Sequence, residues 1–184
     1  MIWFGTDRDS QLREKPFVTQ QDCTFLCGNY IDVAAADADL QRLRSVDVTA
    51  EVDAAVLGKR DDGRAAIYHH EPPLDDDNGP RLAVGLAVTL LPAVGLDTSD
   101  WVEHTSTAAS VTAGHIVAAM SRSDLEEFGR HVDDAMAILI VAGPTRAVDQ
   151  ARSDIVHAQE IAERSVLFDL SALEAKLDRL GGDG

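Results

Sequence analysis

Three groupings in this sequence bring reactive side chains close together: Cys23 with Cys27, the run His69-His70-Glu71, and the acidic run Asp75-Asp76-Asp77-Asn78-Gly79. Each suggests a chemistry, whether thiol redox, metal ligation by imidazole, or calcium binding by carboxylates. Spacing argues against all three. On a strand, residues four apart have α-carbons about 13 Å from each other, beyond the ~7 Å limit for a disulfide. Thr24, Phe25 and Leu26 favour a strand there, and the pair lacks the C-x-x-C spacing of a zinc or redox motif. Two small, buried, reduced thiols are expected. His69 and His70 point to opposite faces of a strand, so they cannot share a metal without a bulge. They are read as exposed polar residues at a strand end. A calcium loop starting at Asp75 would place Gly79 fifth and Leu86 where a bidentate Glu is required. That run is expected to be a solvated acidic loop.

His115 falls on a largely apolar helix and reads as a hydrogen-bonded packing residue. His104 lies on the chain before it, but spacing alone does not bring the two rings together. The sequence contains no phosphate loop of the G-x-x-x-x-G-K-[ST] type, no G-x-G-x-x-G and no G-x-S-x-G elbow. Its carboxylates are too numerous for a catalytic pair to stand out. No catalytic residue, metal ligand or cofactor-binding residue is therefore assigned, no cofactor is expected, and nothing supports an enzyme reading.

The elements that hold these residues follow from composition and patterning. At 184 residues, 45% hydrophobic and 26% charged, the chain has the make-up of one globular domain with a real core. Its net charge of −16 repels phosphate backbones and anionic lipid, so no nucleic-acid partner is expected. Abundant Asp, Ala and Arg fit a GC-rich or a salt-adapted source. The first residues, MIWFGTDRDSQLREKPF, carry acids and no apolar core segment, unlike a secretory signal, and a cytoplasmic location is expected.

Residues 1–20 read as an N-terminal arm with an apolar hook, Ile2-Trp3-Phe4, and residues 21–184 as a single domain. Within it, Cys23 to Asn29 is a buried strand. Asp32 caps a helix from Val33 to Arg44, and Glu51 to Gly58 and Ala65 to His70 form a hairpin turned by Asp61-Asp62-Gly63. Two weakly polar stretches, Leu82 to Leu96 and Thr105 to Ser121, form an inserted helical hairpin over residues 80–120. Ser123 and Glu126 make a capping box for the next helix, and Ala135 to Ala142 is an unbroken apolar strand. A helix from Thr145, a short strand at Ser165 to Phe168 and a helix boxed by Ser171 and Glu174 form a C-terminal extension. This order predicts an α+β fold, a ferredoxin-like split β-α-β sandwich with helices on one face of the sheet.

The stretch Gly114-His115-Ile116, Met120-Ser121-Arg122-Ser123-Asp124-Leu125 and Ala137-Ile138-Leu139-Ile140-Val141 resembles a known group. It is similar to domain-of-unknown-function family 1269, a prokaryotic family often labelled predicted membrane protein. The resemblance spans roughly Asp22 to Asp169 and includes the acidic turn Asp61-Asp62-Gly63. It departs in the middle, where only Gly85, Gly95 and Gly114 punctuate a segment that is glycine-rich in the family. The resemblance implies the fold and offers no activity or catalytic residues to transfer.

A membrane-spanning helix needs about 20 apolar residues. Leu82 to Leu96 would reach only about 22 Å and contains Pro92, while the second stretch holds Thr105, Ser106, Thr107, Ser110, Thr112 and His115. The hairpin is therefore expected to pack on protein, although a membrane contact is a further partner class that the family label implies. Its apolar excess suggests a subunit interface formed by Ile2, Trp3, Phe4, Leu86, Leu90, Val94, Ala109 and Ala113. The favoured reading is a non-enzymatic, self-associating homo-oligomer with a structural or stress-related role. Its alternatives are a small-molecule-binding regulatory domain, with a pocket lined by Cys23, His115 and Met120, and a membrane-associated stress protein.

Overall fold

A computed structural model describes residues 20–46, 51–63, 65–71, 81–93 and 107–181. The strands are β1 (Gln21–Tyr30), β2 (Asp53–Lys59), β3 (Ala65–Glu71), β4 (Ala137–Pro144) and β5 (Glu160–Phe168). The helices are α1 (Val33–Ser45), α2 (Leu82–Ala93), α3 (Thr107–Ala119), α4 (Arg122–Asp133), α5 (Thr145–Arg152) and α6 (Leu170–Gly181). The fold is α+β. All five strands join one sheet in the order β3-β2-β4-β1-β5, and each neighbouring pair is antiparallel.

Alternation along β4 shows how the layers form. Leu139 and Val141 face a cluster with Leu26 and Val56, covered by Ala36, Leu40 and Leu43 of α1 and Ala147, Val148 and Ala151 of α5. Ile138, Ile140 and Ala142 face the other way, joining Phe25, Cys27 and Leu57 beneath α2, α3, α4 and α6. Helices thus cover both faces, where one covered face was expected. A strand buried on both sides needs apolar side chains at every position, which accounts for the unbroken run in β4.

The chain's order through the sheet also differs from the expectation. β4 sits between β1 and β2, and β1 sits between β4 and β5. The α1 connection links β1 to β2 over β4, and the α5 connection links β4 to β5 over β1. The C-terminal strand is therefore integral to the sheet rather than an extension, and the hairpin strand β3 lies outermost. β5 is also longer than the short strand expected.

The two helices α2 and α3 pack together and contribute to the core, with Val117 of α3 left exposed. Gly85 lets α2 and α3 approach closely, since a Cβ there would fall 2.7 Å from Thr112 Cγ2. No described helix is long and apolar enough to cross a membrane. The turn after β2 depends on Gly63, whose φ of 81° suits glycine.

Asp32 caps α1 as expected, its carboxylate accepting from Ala35 N at 2.8 Å. Two other caps fall two residues earlier than predicted. Ser121, not Ser123, accepts from Asp124 N at 3.2 Å to start α4. Asp169, not Ser171, accepts from Ala172 N at 2.8 Å to start α6. Any of several nearby hydroxyls or carboxylates can cap a helix, so local sequence leaves the choice open by about a turn.

Candidate functional site: two aspartate–histidine pairs

The first pair lies where β2, β3 and the start of α2 meet. His70 pairs across from Ala55, and Asp53 is two residues along on the same face. A register shift between Val56 and Leu57 bulges β3 just before the histidines, yet His69 and His70 still part to opposite faces. His70 Nε2 lies 2.7 Å from Asp53 Oδ1, with side-chain exposures of 2% and 7%. The approach does not form a hydrogen bond, and His70 Nδ1 has no partner either. Asp53 Oδ2 accepts from Ala83 N at 2.6 Å, satisfying a free amide in the first turn of α2. Arg81 is buried just before that turn.

His69 instead reaches Asp37 on α1 at 3.5 Å and is 44% exposed. Glu71 accepts from Arg44 Nε at 2.7 Å. The three residues read together as an exposed strand end thus separate into an exposed His69, a half-buried Glu71 and a buried His70. The correction concerns His70, which is covered by α2.

The second pair was missed at the sequence level. Asp39 on α1 is fully buried and accepts four hydrogen bonds. Tyr30 Oη (2.9 Å), Val156 N (3.0 Å) and His157 N (2.9 Å) donate to Oδ2, while His157 Nδ1 lies 2.6 Å from Oδ1. Burial pushes the Tyr30 hydroxyl well above its ordinary range, and the Asp39 charge and hydrogen bond push it the same way. His157 is about half exposed. Its Nδ1 faces a fixed carboxylate, so its Nε2 is left as the free ring position. That arrangement can orient a base, and it also ties the turn before β5 onto α1. A signal for Asp39 existed in the sequence, because it falls on the same helical stripe as Ala36, Leu40 and Leu43.

Cys23 and Cys27 are free and buried on one face of β1, as expected. Burial, helped by the Asp22 charge, pushes the Cys23 thiol up to about 11, and burial pushes Cys27 up further. Neither has the thiolate character that nucleophilic or redox chemistry requires. Cys23 and Met120 are packed into the core with Phe25, Phe168 and Ile116. The half-buried His115 ring sits at the rim, 6.2 Å from the Phe168 ring. Of the three residues proposed to line a pocket, Cys23 and Met120 are thus buried and His115 is half-buried.

The interface candidates are also redistributed. Leu86, Leu90 and Ala109 are buried in the chain's own core, and Ala113 is buried with 9% of its surface exposed. Ile2, Trp3, Phe4 and Val94 lie outside the described residues, as do His104 and the acidic run Asp75 to Gly79. Among the described residues no group of three or more His, Cys, Asp or Glu side chains is placed to hold a metal ion. A shallow apolar depression lies at the far end of β2 and β4, lined by Leu57, Gly58, Val132, Met136 and Ile138. Comparison with protein-family profiles and with curated proteins finds no match to this chain.

Proposed function

We propose that this chain is a non-enzymatic protein that works as a homo-oligomer in a structural or stress-related role, on a ferredoxin-like sandwich. Two interleaved strand–helix–strand units support the architecture. β1-α1-β2 and β4-α5-β5 give the sub-order β2-β4-β1-β5, with α1 and α5 on one face. In this reading β3 and α2 to α4 are inserted between the two units, and the resemblance to domain-of-unknown-function family 1269 belongs to the same proposal. A cytoplasmic setting without nucleic acid or membrane partners accords with the −16 charge.

One observation carries the self-association: β5 is a nine-residue strand of regular register at the sheet's edge, with no described strand on its outer side. Unpaired edge amides and carbonyls are a template for another strand. This places the interface at β5 in preference to the hairpin, where Leu86, Leu90 and Ala109 are buried although Val117 is 53% exposed. Native mass spectrometry of the full chain at micromolar concentration tests it. A dimer or larger assembly is expected, and a strictly monomeric chain would refute it.

The buried His70, with its unpartnered Nδ1, supports a second reading as a small-molecule-binding regulatory domain. A ligand that binds only the folded state raises the melting temperature. A broad metabolite and metal screen producing no thermal shift would count against that reading.

A further inference from the structure

We infer that two copies of this chain join β5 to β5, antiparallel, about a two-fold axis passing through Arg164 perpendicular to the sheet. The inference rests on the self-association proposed above and names its surface and register.

Such an axis keeps each sheet face on the same side in both copies, so only residues of the same face can stand opposite each other. Along β5, the α1 and α5 face carries Ile161, Glu163, Ser165 and Leu167, because these pair with the Gly28, Leu26, Thr24 and Asp22 positions of β1. Centred on Arg164, the pairing sets Ile161 against Leu167 of the second copy and Ala162 against Val166. Apolar then meets apolar on both faces. Moving the centre to Glu163 would oppose Ile161 to Ser165 and Ala162 to Arg164. Moving it to Ser165 would oppose Glu163 to Leu167 and Arg164 to Val166. The Arg164 register also sets Glu163 against Ser165 and Glu160 against Phe168, but of the three it alone forms two apolar pairs, one on each face.

Charge does not prevent it. Arg164 meets its own copy at the axis, but each guanidinium is already paired with Asp124 and Glu127 of its own α4. Glu163 is paired with Arg152 in the same way. Of the charges that commonly protect an edge strand, those of Glu163 and Arg164 are therefore paired within each chain, while Glu160, 74% exposed and 3.8 Å from His131, stays at the strand's end. Leu167 is left 61% exposed, the joint highest of the large apolar side chains described as exposed. A two-fold pairing would gather both copies' Leu167 and Ile161 into one patch beyond α5.

The test uses full-length variants under mild oxidation. Arg164→Cys places a thiol opposite its own copy and is expected to give a disulfide-linked dimer, whereas Tyr68→Cys on the β3 edge is not. The double variant Glu163→Cys/Ser165→Cys, which keeps Arg164, should cross-link equally well. The native thiols do not interfere, being buried. Leu167→Arg should weaken the dimer at least tenfold while its circular dichroism and melting temperature stay near those of the parent. Dimers that cross-link at neither β5 variant, or that persist in Leu167→Arg, would overturn the register while leaving self-association standing. A parent chain that is monomeric throughout would overturn both.

Discussion

The two edges of the sheet are built differently. β3 is seven residues long and bulged, with a register shift against β2 that leaves Tyr68 outside the regular pairing. β5 is nine residues long and runs in unbroken register along β1 from Glu160 to Phe168. A bulge twists an edge away from further pairing, whereas a long regular edge leaves its backbone groups in line for another strand. The β3 edge is broken by its own bulge, whereas the β5 edge keeps the unbroken register on which the proposed association rests.

The largest expected effect lies where β5 is anchored. Phe168 is buried against Phe25, with ring centroids 6.2 Å apart, so Phe168→Ala should cost about 3–5 kcal/mol in urea unfolding. A loss below about 1 kcal/mol would mean that β5 is not an integral strand, and the comparison of edges would lose its basis.

The turn leading into β5 should matter next. Asp39→Ala strands several donors around a buried site and is expected to destabilise by about 2–4 kcal/mol, with β5 amides exchanging faster than those of β3. Equal acceleration at both edges would show that the Asp39 lock does not belong to β5 in particular.

Alkaline pH offers a milder perturbation through β1, the strand on which β5 is laid. Cys23 and Tyr30 both have proton affinities raised by burial in the folded state. Their stabilising contribution is complete below the unfolded values and is lost as pH rises through the folded ones. For Cys23 that window runs from 9.0 to about 11. The melting temperature should therefore fall across this range, and less steeply in a Cys23→Ala/Tyr30→Phe variant. An identical slope in both proteins would remove these groups as the cause.

The smallest effect should come from the closed edge. Tyr68 is 45% exposed at the bulge, so Tyr68→Ala should change stability by no more than about 0.5–1 kcal/mol. It should leave assembly size unchanged. A change in oligomer size would show that β3 is an interface.

Much of the fold was legible because its signals are local. The hairpin turn at Gly63, the N-cap at Asp32 and the two low-charge helices are visible in the sequence, and so is the apolar run of β4, although the strand starts and ends two residues later than Ala135 to Ala142. What failed was non-local. Nothing in the order of elements shows that β4 threads between β1 and β2, because the sheet order is decided by long-range packing. The unbroken run Ala137 to Ala142 did carry a clue, since a strand with one covered face would alternate.

The sequence shows only the short strand Ser165 to Phe168, and Glu160, Glu163 and Arg164 interrupt the apolar pattern of the longer β5. Those charges are themselves a mark of an edge strand, where side chains reach solvent and pair with neighbouring helices. The histidine pairs escaped for a related reason. Asp53 is one acid among 32 and only the fold reveals its burial, whereas the helical stripe of α1 signals the burial of Asp39 but not its histidine partner.

Amide hydrogen exchange followed as protein concentration rises tests the contrast between the edges most directly. Association through β5 predicts that residues 160–168 become more protected with concentration while residues 65–71 keep the same rates. Rates in β5 that are independent of concentration, or slowing confined to β3, would contradict it.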